Sequence, residues 1–340
     1  MSDIIENVFK EDKHVKIAFH ENSLTIRGST VALTDYCRYN ETLLGNKSII
    51  VVPKSSIEQY KNDQIAVENI QKNFELFFYE DMNDLERILE DEHCDILYVI
   101  KYGNNDGICS QKVKTVVHCV FSMQEPHGNV YAGVSSQIAE KHGKTLYVPH
   151  LIGLKPSTTG ENLRKDLGIP ENARVFGYMG GNDSFNIVFA IETVKRAVRV
   201  LDNVYFVFVN IPRFDNHPSI IFLDKIVDLD EKNKFIMTCD ACLEAQRLGQ
   251  SFGLTLGEFS INNKPIIVFK GIVLNDNYTK ILGDNALYYY DENSLMDIIS
   301  NFNRDNYINR DLNCYKEFTP ENVMDRFKKI FIDETLKEEN

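Results

Sequence analysis

The chemistry-bearing residues of this chain concentrate between Arg247 and Glu258, where a polar loop with glycines at 249 and 253 runs into a short helical pattern. A helix that begins at a glycine leaves its first backbone N–H groups free, and with the helix dipole they make a site for phosphate. Glu258 lies about one and a half turns beyond Gly253, so its carboxylate can reach a group beside that phosphate. Its neighbours Leu254, Leu256, Phe259 and Ile261 are apolar. A carboxylate on such a helix must be paired or hydrogen-bonded, and a ribose diol offers two donors. Arg247 stands three residues before Gln250. A planar guanidinium beside a helix start suits a diphosphate; the plain alternative is a solvated surface arginine.

Gly180-Gly181-Asn182-Asp183-Ser184 separates a strand pattern from a helix pattern. Adjacent glycines let the backbone approach an anion closely, although a tight turn capped by Asp183 or Ser184 explains them as well. No Walker lysine follows, so this is not a P-loop. Gly28 and Ser29 lie in a comparable loop near the start of the chain, without a Gly-x-Gly-x-x-Gly fingerprint. His127-Gly128 follows another strand pattern, and a neutral imidazole there can hydrogen-bond a hydroxyl or a phosphate oxygen. His118 and His150 read as structural. Cys239 and Cys242 form a Cys-x-x-Cys, but zinc needs a second pair and none exists, so both read as core thiols. Asp228-Leu229-Asp230 reads as a solvated helix start. No metal and no cofactor is expected.

The elements that carry these residues alternate. Strand patterns at 15–19, 49–52, 74–79, 95–100, 115–121 and 145–148 alternate with helical patterns at 30–44, 55–70, 84–91 and 130–142. The apolar content of the strands is nearly continuous, as a buried parallel sheet requires. The segment 149–159, with two prolines and a glycine, reads as a linker. The rhythm then restarts: strands at 174–178, 204–209, 220–223, 235–238, 265–269 and 286–290, and helices at 185–200, after Gly253, from 291 through 302, and at 321–332. Asp291 is the expected cap of the helix it precedes. This is the pattern of two doubly wound α/β domains, whose ligands bind outside the carboxyl ends of the strands, by default in the cleft between them.

Composition narrows the function classes. The chain has 340 residues, 43% hydrophobic and 26% charged, with a formal net charge of −13. That balance is ordinary for a globular protein and argues against a nucleic-acid backbone as the partner, which needs a basic face. No apolar run approaches the roughly 20 residues of a membrane helix, which leaves only peripheral membrane contact open. Seven scattered cysteines and a polar N-terminus without a signal pattern suit a cytoplasmic protein.

The segment from Ser157 to Val268 resembles the retaining glycosyltransferases of GT-B fold, specifically the large family with many sucrose, mannosyl and glucosyl transferases. The resemblance rests on Gln250-Ser251-Phe252-Gly253, Glu258 and Lys264-Pro265-Ile266-Ile267. It also rests on Phe235 to Ala241 and on Asn162-Leu163-Arg164-Lys165-Asp166-Leu167-Gly168-Ile169-Pro170. It implies two Rossmann-like domains facing a central cleft, at 1–153 for the acceptor and 154–317 for the donor, with a C-terminal helix and tail at 318–340 packing back toward the first. It implies transfer of a sugar from a nucleotide-diphosphate sugar to a hydroxyl acceptor such as a glycan, with retention and without a metal. An NDP-sugar epimerase of the same fold and a non-catalytic nucleotide-sugar binder are the rival readings. Carried over by position, Glu258 binds the ribose, and Phe252, Gly253, Leu254 and Thr255 present amides to diphosphate and sugar. Gln250 contacts sugar hydroxyls, His127 sits near the sugar, and Gly28 stands where the family has a glycine-rich loop. The chain departs from the family at Gln250, where a glutamate is usual, and at Tyr178, where an arginine is common; Arg247, Arg213 or Lys270 is expected to supply the missing charge.

Overall fold

The computed structural model describes residues 14–54, 62–181, 183–271 and 277–335. The chain divides into two compact units, one of residues 1–25, 29–148 and 324–340, the other of residues 26–28 and 149–323. The expected helix over 55–70 begins outside the described residues, and so does Asn182.

The first unit alternates β1 (Lys16–His20), α1 (Gly28–Thr42), β2 (Lys47–Pro53), α2 (Gln64–Gln71), β3 (Glu75–Tyr79), α3 (Met82–Asp91) and β4 (Ile96–Lys101). It continues with β5 (Lys114–Cys119), β6 (Val130–Gly133) and α4 (Ser136–Lys141). All strands are parallel, in the order β3-β2-β1-β4-β5-β6. Every residue of β4 is buried, which is why its sequence shows no alternation. Residues from 324 onward belong to this unit, and Phe327 stacks among Phe19, Tyr36 and Tyr98. Burying a ring of that size stabilises by roughly 1.5–3 kcal/mol.

The second unit repeats the plan with β7 (Arg174–Met179), α5 (Val188–Val200), β8 (Val204–Val209), β9 (Ile220–Leu223), α6 (Leu229–Thr238) and β10 (Ala241–Leu243). Then come α7 (Leu254–Ile261), β11 (Ile266–Phe269), α8 (Asn277–Leu282), β12 (Leu287–Tyr289) and α9 (Glu292–Asn301). Its parallel order is β12-β11-β10-β7-β8-β9, the same connectivity as the first. Arg164 locks the amino ends of β7 and β10. Its guanidinium donates to Asp240 Oδ1 (2.9 Å) and to the carbonyls of Thr238 (3.2 Å) and Ala173 (3.0 Å). The motif after the linker is therefore a structural clamp.

Some elements differ from the sequence reading. The helix expected over 130–142 is a strand, β6, followed by α4, which starts where the Ser135 side chain accepts from Ile138 N. The strand expected at 145–148 is only a bridge of Tyr147 to Gly133. The apolar run 235–238 is the buried face of α6 near its end, not a strand. Asp228 caps that helix through the N–H groups of Asp230 and Glu231, and this sets Lys232, Phe235 and Ile236 on one inner face. A short apolar run cannot distinguish strand from helix; its cap can. Gly28 and Ser29 are not loop residues but the first turn of α1.

Candidate functional site

In both sheets the strand order reverses where β1 lies beside β4 and β7 lies beside β10. Crossover helices leave toward opposite faces at such a point, so a crevice opens outside the carboxyl ends of those two strands. In the second unit these ends are Met179 and Leu243.

Much of the expected donor set collects there. α7 starts at Gly253, whose φ of 82° and ψ of 59° are left-handed, a conformation glycine adopts at no steric cost. No side chain caps this start, so its first amides are directed at whatever lies before it. Thr255 Oγ1 donates to the Met179 carbonyl (3.0 Å) and ties the helix start to the end of β7. Gln250, half-buried, donates from Nε2 to the Tyr178 hydroxyl (3.1 Å). Gly180 and Gly181 follow β7 directly. A Cβ on Gly180 would lie 2.0 Å from Ser184 Oγ, which donates to the Gly181 carbonyl (2.7 Å), so the tight turn alone demands a glycine here. Arg247 is exposed, and its N–H donates to Asn186 Oδ1 (2.8 Å). The Phe252 ring faces the core against Tyr315, Phe318 and His150, and its carbonyl accepts from the Tyr315 hydroxyl (2.8 Å).

Glu258 is buried, and its partner in the protein is Lys232: Nζ lies 2.6 Å from Oε1. A protein cation thus meets the carboxylate that the sequence reading paired with a ribose. Lys232 was hidden by reading 235–238 as a strand, because only a continuous α6 turns it inward. Arg213 and Lys270, named as sources of positive charge, lie over the rings of Phe222 (4.9 Å) and Tyr288 (4.0 Å).

The sequence reading also missed Glu244, the residue after β10. It is fully buried, and burial pushes its carboxyl up to about 8. Oε1 accepts from Gln246 N (2.8 Å), while Oε2 has no hydrogen-bond partner among the described residues. The legible signal was a carboxylate placed directly after an apolar strand.

At the corresponding edge of the first unit, β1 ends in His20 and β4 in Lys101. The Lys101 side chain is buried and pairs with Asp106. It also meets His127 Nε2 at 3.2 Å, while His127 Nδ1 lies 2.6 Å from the Glu125 carbonyl. The carbonyl can only accept, so Nδ1 carries the proton and Nε2 accepts from Lys101. Both ring nitrogens are therefore engaged, and the polar edge is a Lys101–Asp106–His127 group rather than a lone histidine. Burial opposes the Asp106 charge, but Lys101 outweighs it and holds the carboxyl below its usual value. Beside them, burial lowers His20 to about 3, with Nδ1 unpartnered among the described residues and Nε2 2.7 Å from the Tyr79 hydroxyl. Glu21, which accepts from Thr30 Oγ1 (2.7 Å), is raised by burial to about 7. His118 is structural, held between Tyr98 Oη (2.6 Å) and the Val148 carbonyl (2.7 Å).

Cys239 and Cys242 are buried free thiols whose burial pushes them up, Cys239 to about 12. Among the described residues no cluster of metal-ligating side chains occurs, and no helix is long and apolar enough to cross a membrane.

No protein-family model and no curated protein matches the sequence. Solved structures do match. HepE of Anabaena in complex with UDP and glucose superposes with a TM-score of 0.68 at 12% identity, covering 93% of this chain and 99% of that one. The lipopolysaccharide outer core galactosyltransferase WaaB gives 0.59 at 12% identity, over 94% and 100% of the two chains. A protein of Listeria monocytogenes assigned as a UDP-N-acetylglucosamine 2-epimerase gives 0.60 at 11%, over 94% and 97%. The chain therefore has the GT-B fold, the two-unit α/β architecture of these solved proteins.

Proposed function

We propose that the protein binds a nucleotide-diphosphate sugar on its second unit and transfers the sugar to a hydroxyl acceptor. The observation that carries this reading is the uncapped start of α7 at Gly253, set at the switch point of β7 and β10 beside Gln250. Backbone amides aimed at one point stabilise a diphosphate and the charge it gains on departure. The amides of Leu254 and Thr255 would meet the phosphates, and Gly180 and Gly181 would let them approach. Arg247 would approach from the exposed loop. Gln250 would bind sugar hydroxyls, and Glu258 would offer Oε2 to the ribose while Lys232 holds Oε1. Solved structures of the same fold in complex with UDP, UDP and glucose, or UDP-glucose support a uridine nucleotide as the first donor to try. The acceptor would lie on the first unit, and Gly28 and Ser29 would serve the donor. The helix amides would replace a cation, so donor binding would need no metal, and transfer would retain configuration.

The epimerase is the second reading, because a protein so assigned shares the fold at similar similarity. A thermal-shift screen of UDP, GDP, ADP and their sugars identifies the nucleotide, since a ligand bound to the native state raises apparent stability. Product analysis then decides: UDP release that rises with acceptor supports transfer, and interconverted sugars attached to UDP support epimerisation. No stabilisation by any nucleotide refutes both.

A further inference from the structure

The carboxyl edge of the first sheet carries two aromatic rings that its core does not cover. Tyr102 follows β4 directly and is 61% exposed, and Phe121 stands just beyond β5 and is 37% exposed. Their centroids lie 5.4 Å apart with 36° between the planes. A single exposed ring is ordinary; adjoining exposed rings form a patch whose occupant has to be sought.

The backbone fixes this pair. Val120 N donates to the Lys101 carbonyl (2.8 Å), and Phe121 N and Ser122 N both donate to the Tyr102 carbonyl (3.0 Å). The two loops therefore stay in contact beyond the ends of their strands. At Gly103 φ is 131°, and an added Cβ would lie 1.8 Å from the Ser122 carbonyl oxygen, so any side chain there would force the loops apart. A surface held by main-chain bonds loses little freedom when a ligand covers it.

The rings are continuous with the polar group at the end of β4. The residue before Tyr102 is Lys101, whose Nζ meets His127 Nε2 at 3.2 Å. The residue after it is Gly103, whose carbonyl accepts from the Tyr131 hydroxyl (2.7 Å), and the Tyr131 ring lies 5.4 Å from that of His127. Tyr102 therefore stands at the rim of the crevice that the strand-order reversal opens outside β1 and β4.

The chemistry around the rings selects the occupant. The loops 102–110 and 120–129 contain no lysine or arginine, and their acids are Asp106 and Glu125. A phosphate-rich surface, whether nucleic acid or anionic lipid, would need cations here. Asp106 is paired with Lys101, and Glu125 Oε2 accepts from Asn105 N (2.8 Å). Asn104 and Gln124, on the same loops, are exposed amides, each both donor and acceptor. Apolar rings beside uncharged amides suit a ligand with one apolar face and a rim of hydroxyls, and a pyranose ring has both.

We propose that Tyr102 and Phe121 form a shelf on which a neutral sugar ring of the acceptor stacks, with Asn104 and Gln124 meeting its hydroxyls. This rests on the reading of the protein as a transferase whose acceptor lies on the first unit.

The chain has no tryptophan, so Tyr102→Trp keeps the shelf aromatic and supplies a single reporter. Its emission is followed while cellobiose, lactose, N,N′-diacetylchitobiose or mannobiose is titrated in. At least one should shift the emission saturably, and adding Phe121→Ala should weaken that disaccharide about tenfold, the scale of one ring contact. No response to any of these disaccharides overturns the proposal. So does a response, in place of sugar, to UDP, to vesicles of phosphatidylcholine and phosphatidylglycerol, or to protein concentration, which would give the patch to the donor, to lipid or to a second copy.

Turnover separates the shelf from the transferase reading. With UDP-glucose as donor and the responding disaccharide as acceptor, Tyr102→Ala should raise the acceptor KM about tenfold and leave UDP affinity within about threefold of the parent. Transfer with a parental acceptor KM in Tyr102→Ala sinks the shelf alone. Saturable sugar binding without transfer in the parent keeps the shelf and sinks the transferase reading. Both side chains are exposed, so each variant should melt near the parent's temperature; a sharp fall would show that the rings belong to the core and would overturn the shelf.

Discussion

Replacing Glu258 by glutamine should cost stability before it costs binding. The carboxylate and the Lys232 ammonium lie 2.6 Å apart, with each side chain 9% exposed. At that separation and an effective dielectric near 20, their attraction is roughly 6 kcal/mol. Desolvation of both ions consumes much of this, so the intact pair adds little net stability. Breaking it leaves a lone buried charge, at a cost of about 3–5 kcal/mol. Glu258→Gln and Lys232→Met should each lower the melting temperature on the order of 10 °C for a unit of this size. The double variant should regain most of that loss, because neither ion is then stranded. Urea or thermal unfolding of the four proteins, without nucleotide, reads the cycle. UDP affinity, measured on whichever variants fold, should fall by roughly 1–3 kcal/mol in Glu258→Gln if Oε2 meets the ribose. Single variants within about 1 kcal/mol of the parent, with additive losses in the double, would refute the argument that the pair is closed to solvent.

Gly253→Ala should destabilise by about 1 kcal/mol or more, since its φ is 82° and a Cβ would lie 3.1 Å from Leu256 Cδ1 and from Tyr315 Oη. It should also weaken UDP binding by misdirecting the α7 amides; a folded variant with parental UDP affinity removes this helix start from the site. Gly257→Ala should cost about 1–3 kcal/mol, because the added methyl would meet Ile152 Cδ1 at 2.4 Å, and unchanged thermal stability would disprove that packing. Chelator should leave UDP binding unchanged; a reversible loss restored by magnesium would show that a cation takes part. Four buried groups shape stability against pH. Below 6.5 the unfolded chain protonates His20 and His118 while the fold keeps them neutral down to about 3 and 4, so stability falls as pH drops. Above 4.5 the unfolded chain ionises Glu21 and Glu244 while the fold keeps them protonated to about 7 and 8, so stability falls as pH rises. Their combined effect is flat between 4.5 and 6.5 and declines on either side. A melting temperature that climbs steadily to pH 8 contradicts it.

The sequence by itself determined the fold class, because it is written in local periodicity. Runs such as Val204–Val209 are buried on both faces, and caps such as Asp291 define helix starts within single turns. It determined where α7 begins, because only glycine adopts the Gly253 conformation without cost. What it could not determine is which distant side chains meet. Lys232 and Glu258 are 26 residues apart, and their pairing depends on the inward face of α6. His127 looked available because nothing local shows that Lys101, at the end of another strand, occupies its second nitrogen. Glu244 is buried because the strand it follows, β10, lies inside the sheet between β7 and β11, which no local pattern shows. Strands and caps are fixed by neighbours along the chain. The charge state and orientation of a site residue depend on burial and partners, and only tertiary packing supplies those.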